Sequence, residues 1–89
     1  MPKDKKDGDI DLIIVVNGQP VSIEARAHEL LRSAAEEALK KSGNSGQPLE
    51  NWELRDAAGK VLDLARKIGE FHFPDETKLF LNLKAGVGG

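Results

Sequence analysis

The apolar positions of this chain change period along its length, and each change predicts a new element. Ile10-Asp-Leu-Ile-Ile-Val-Val16 is rich in β-branched residues and predicts a strand. Asn17-Gly18 follows, and both positions accept the positive φ of a type I′ turn. A two-residue loop sets the register of the hairpin. Val16 stands opposite Gln19, Ile14 opposite Val21, Leu12 opposite Ile23 and Ile10 opposite Ala25, so one face of the hairpin is apolar. The other face pairs Val15 with Pro20, Ile13 with Ser22 and, unfavourably, Asp11 with Glu24. Pro20 has no amide to donate, which suits an edge strand.

The period then lengthens. Across residues 28–42, Leu30, Leu31, Ala34, Ala35, Ala38 and Leu39 recur at helical spacing, with charged residues between them, and predict one amphipathic helix. Lys40 and Lys41 suit the negative end of the helix dipole, and Gly43 suits its C′ position. Ala27 and His28 are weak caps, so the start is poorly marked. Alternation returns at residues 52–56, where Trp52 and Leu54 interleave with Glu53 and Arg55. A turn at residues 57–60 leads to a brief strand over Val61–Leu64. Ala65–Phe71 reads as irregular or as one helical turn anchored by Ile68, and Pro74-Asp75-Glu76 as a turn. Thr77–Lys84 sets Leu79, Leu81 and Leu83 against Phe80, Asn82 and Lys84 and predicts the last strand. A helix after the first hairpin lies across one sheet face, and a right-handed crossover lets the last strand pair parallel with the first. The expected fold is α+β: a β-grasp with a mixed sheet of four to five strands packed on one helix.

Composition narrows what such a body can do. Eighty-nine residues make one domain and leave no room for a cleft between lobes. There is no cysteine, which excludes a disulfide scaffold, a thiolate nucleophile and a zinc-finger site, and fits the cytoplasm. A net charge of −2 offers no basic excess for nucleic acid. The longest apolar run is five residues, Leu12–Val16, so no membrane span or signal segment is expected. Residues 1–9 are almost wholly charged and predict a disordered tail before a body of residues 10–84. Residues 85–89, Ala-Gly-Val-Gly-Gly, predict a flexible C-terminal tail that reaches roughly 17 Å when extended.

This element order, with Pro74-Asp-Glu-Thr-Lys-Leu-Phe-Leu-Asn-Leu-Lys84 running into a glycine tail, resembles ubiquitin and its relatives. Within that family it resembles the bacterial ubiquitin-like proteins encoded beside activating, conjugating and metalloprotease-type deconjugating enzymes. Two departures stand out: residues 1–9 have no counterpart in ubiquitin, and the tail lacks the paired arginines that precede ubiquitin's diglycine. The resemblance implies a protein modifier, not an enzyme. An activating enzyme that uses ATP would adenylate the Gly89 carboxylate; the chain would then pass as a thioester and form an amide with a lysine of a target protein. Implied partners are the activating enzyme, the conjugating enzyme, a deconjugating metalloprotease and the targets, with the free chain a monomer that binds no cofactor itself.

Two groups of residues carry the expected chemistry. Gly88 and Gly89 form the conjugation terminus, because residues without a Cβ thread a narrow enzyme channel. Ala85, Gly86 and Val87 supply reach, and their backbone can pair as an added strand in an enzyme groove. The second group follows from strand parity: Ile13, Val15 and Phe80 point away from the helix and make a small apolar patch for partners. His28 and His72 lie far apart without ligand spacing, so no metal site is expected. Two rivals share this body. A sulfur carrier would convert the same carboxylate into a thiocarboxylate for cofactor or tRNA thiolation, and a non-covalent module would use the patch alone.

Overall fold

The computed structural model describes residues 9–85. Residues 1–8 and 86–89, which hold most of both expected tails, lie outside the described residues. The hairpin forms as its turn chemistry dictates. Strand β1 spans Ile10–Val16 and β2 spans Gln19–Ala25. Asn17 and Gly18, at φ 49° and 85°, make the link. All of the expected pairs appear, from Val16 opposite Gln19 to Ile10 opposite Ala25. Strand β3 (Trp52–Arg55) and strand β4 (Thr77–Leu83) complete a sheet of order β2-β1-β4-β3. The chain's first and last strands are parallel neighbours at its centre, with Leu12 opposite Thr77 and Val16 opposite Leu81. Strand β3 runs antiparallel to β4 on the outside, and β2, with Pro20, is the other edge.

The fold is therefore the mixed-sheet β-grasp expected, with four strands. The brief strand expected over Val61–Leu64 is reduced to a single bridge between Arg55 and Val61, which leaves Val61 49% exposed. Helix α1 covers Leu31–Lys41, three residues shorter at its start than the pattern over 28–42 implies. Leu30 is extended, pairs in a bridge with Lys67, and is 37% exposed instead of joining the apolar stripe. The reason lies in the amides of the first turn. With no side-chain cap, Leu31 and Arg32 donate to the carbonyls of Arg66 and Leu64, at 2.9 and 3.0 Å. A later segment thus supplies the acceptors that a cap would. The far end matches its signal. Gly43, at φ 77°, turns the chain, and the amides of Gly43 and Asn44 reach back to Lys40 and Leu39.

Helix α1 packs on β1 and β2, and Leu31, Ala34, Ala35, Ala38 and Leu39 are all buried. Beneath it lie Leu12, Ile14 and Val16 of β1, Ile23 of β2, Leu54 of β3 and Leu79 and Leu81 of β4. Burial of a leucine- or isoleucine-sized side chain contributes roughly 1.5–3 kcal/mol, so this alternation dominates the choice of fold. Leu62 and a 3₁₀ turn at Ile68–Phe71 close the remaining side of the core.

Candidate functional site: the open sheet face and the root of the tail

Strand β4 does two things at once. Its odd residues, Leu79 and Leu81, enter the core, and its even residues Lys78, Phe80 and Asn82 face away from the helix. At its end, the Lys84 amide donates to the Asn51 carbonyl at 2.8 Å, which ties the root of the tail to the 3₁₀ turn at Leu49–Asn51. Ala85 is exposed just beyond. Gly86, Val87, Gly88 and Gly89, assigned above to tail recognition and conjugation, lie outside the described residues.

The three patch residues do come together. Val15 and Phe80 are register partners across β1 and β4, and Ile13 lies two residues before Val15 on the same face. All three are half-buried on the face opposite the helix. The row through Val15 runs the width of the sheet: Pro20, Val15, Phe80, Arg55. The next row sets Ile13 between Ser22 and Lys78. The face thus has a small apolar centre, with Lys78 and the Glu53-paired Arg55 on its β4–β3 side.

Arg55 and Lys78 were not foreseen as part of this face. Arg55 is placed by the β3–β4 register, opposite Phe80, and no short turn links those strands to reveal it; Lys78 is placed by the alternation along β4 and its pairing with Ile13. Arg55 is held in place: its guanidinium donates to Glu53 Oε1 at 2.9 Å and to the Gly59 carbonyl at 2.7 Å. The Glu53 pair is solvent-exposed and contributes mainly orientation. Elsewhere, Arg66 donates to Glu70 and holds its carboxyl below the ordinary glutamate value, helped by the Lys67 amide. Among the described residues no group of three or more His, Asp or Glu side chains could hold a metal ion, and no helix is long and apolar enough to cross a membrane.

Three comparisons bear on this geometry. A family model described as "Protein of Unknown function (DUF2604)" matches residues 5–89. The uncharacterized protein y4jI of Sinorhizobium fredii (strain NBRC 101917 / NGR234) is 49% identical over 82 residues, covering 92% of this chain. The chain spans 63% of that relative's length. Among solved structures, the ubiquitin of Caldiarchaeum subterraneum superposes with a TM-score of 0.72 at 19% identity, over 92% of this chain and all of that one. A chain in the crystal structure of a pParkin–pUb–UbcH7 complex gives 0.71 at 22% identity, over 88% of this chain and 24% of that one. At these identities the likeness is one of fold: this chain has a ubiquitin-like β-grasp.

Proposed function

The chain belongs to the DUF2604 family, and we propose that it is a ubiquitin-like protein modifier, handled by enzymes and not itself an enzyme. The observation that carries this reading is the ubiquitin-like body whose central strand β4 leads through Lys84 into the sequence Ala-Gly-Val-Gly-Gly. In this reading the Gly89 carboxylate attacks the α-phosphate of ATP on an activating enzyme, giving an acyl adenylate and releasing pyrophosphate. A cysteine thiolate of that enzyme displaces AMP to form a thioester. A lysine amine of the target then displaces the thiol and forms the amide. The thiol must come from the partner, because this chain has no cysteine. Glycine at positions 88 and 89 lets the reacting end pass where a Cβ would clash. Ala85, Gly86 and Val87 give the reach, and Ile13, Val15 and Phe80 form the surface that activating, conjugating and deconjugating enzymes grip.

The test uses the full chain with ATP and its cognate activating enzyme, followed by intact-mass measurement. The expected products are an AMP adduct and then an enzyme-bound species released by thiols, both abolished by deletion of Gly88 and Gly89. A gain of sulfur at the terminus would instead identify a sulfur carrier. If all activity survives the deletion, covalent attachment through Gly89 is wrong.

A further inference from the structure

The sheet stops in the middle of a residue pair, and we infer that this half-made pair is a stop that fixes where the tail begins, with Asn51 as its positioning residue. The β3–β4 ladder sets Trp52 opposite Leu83 and Glu53 opposite Asn82, so the next pair in register is Asn51 with Lys84. In an antiparallel ladder every second pair exchanges two hydrogen bonds. Here only one of the two forms. The Lys84 amide donates to the Asn51 carbonyl at 2.8 Å, but the Asn51 amide turns away and donates to the Pro48 carbonyl at 2.9 Å. The cause is local. Leu49–Asn51 is a single 3₁₀ turn entered from Pro48, and its own bond takes the amide that the ladder would use. The Asn51 side chain is held too, since its Nδ2 donates to Gln47 Oε1 at 2.9 Å.

The result is a sharp boundary. Up to its amide, Lys84 belongs to the body: Trp52 is buried, and Leu49 and Leu83 are half-buried against the core. From its carbonyl onward the ladder gives it nothing. Ala85 is exposed, and its amide donates to none of the described residues. The use of such a stop rests on the reaction proposed at Gly89. With Lys84 pinned, residues 85–89 are the whole reach of the reacting end, roughly 17 Å, so a partner must seat its reacting group within that distance of Lys84. Each residue released from the ladder would add roughly 3.4 Å and loosen that constraint. Asn51 touches no reacting atom; it acts on the tail through the Lys84 amide.

The experiment uses the full ¹⁵N-labelled chain. Hydrogen exchange should protect the Lys84 amide roughly tenfold over that of Ala85, the weight of one backbone hydrogen bond. Lys84→Pro removes the donor and should leave the Leu81 amide as protected as in the parent, which shows the fold intact. The second readout is the rate of AMP-adduct formation with ATP and the cognate activating enzyme. Deletion of Ala85 shortens the reach and should lower that rate by roughly tenfold or more. Lys84→Pro added to the deletion should restore most of the loss, because the released residue replaces the missing one. A merely structural role for the pair predicts no such rescue. Equal exchange at Lys84 and Ala85, or a deletion that Lys84→Pro does not rescue, would overturn the inference. A parent chain that forms no adduct would overturn the modifier reading instead, and the exchange result would then decide the stop by itself.

Discussion

Alternate residues of β4 face two different environments. Leu79 and Leu81 are fully buried under the helix, in register with Ile14 and Val16 of β1. Lys78, Phe80 and Asn82, one residue away in each case, stand on the open face. The covered face is built by volume: it holds only apolar side chains, and no polar or charged residue is buried among the described residues. The open face is built by chemistry, with a small apolar centre, an oriented Arg55 and a Lys78 that makes no ion pair among the described residues. A one-residue slip would exchange the two sets, so the strict alternation that holds the fold also aims the candidate contact surface.

The largest effect should come from the covered face. Leu79→Ala leaves a cavity at the centre of the sheet and should cost about 2–5 kcal/mol in a denaturant titration. A cost similar to that of a surface substitution would break the contrast between the faces. Gly69→Ala should come next, at about 1–3 kcal/mol by the same measurement. A Cβ there would sit 3.1 Å from the Ala27 Cβ and 3.2 Å from its carbonyl oxygen, where the Gly69 amide already donates. On the open face, Phe80→Ser removes a half-buried ring and should cost about 1–2 kcal/mol, less than Leu79→Ala, while weakening partner-enzyme binding at least tenfold in a calorimetric titration. Retained binding with the fold intact would remove Ile13, Val15 and Phe80 from the contact surface.

The smallest effect concerns Glu70. Its carboxyl is held below the ordinary value, chiefly by the Arg66 hydrogen bond. The folded-state pKa is depressed, so the stabilising contribution is present above the ordinary glutamate value and is lost as the pH falls through the lowered one. Glu70→Gln should lower the melting temperature slightly at neutral pH, and the difference from the parent should vanish in acid. A difference that persists in acid would assign the effect to packing.

Local signals were the legible ones. The Asn17-Gly18 turn set the hairpin register to the residue, and the alternation on β1 and β4 assigned each side chain to its face. What remained hidden depended on contacts distant in sequence. The helix begins at Leu31 because carbonyls of Leu64 and Arg66 accept its first amides, and nothing in residues 27–31 announces them. Val61–Leu64 alternates too little to extend beyond one bridge, since Asp63 turns to cap the Ala65 amide. Arg55 joined the open face through the β3–β4 register.

The proposed contrast between a body that partners grip and a tail that reacts is tested most directly on the proteins of the cell. Trypsin cleaves after Lys84, so a target lysine joined to Gly89 keeps the remnant Ala-Gly-Val-Gly-Gly. Peptide mass spectrometry of cells expressing the tagged chain should find that remnant on lysines of other proteins, and should lose it when Gly88 and Gly89 are deleted. Abundant free chain with no such remnant, or one bearing a terminal thiocarboxylate, would contradict the account.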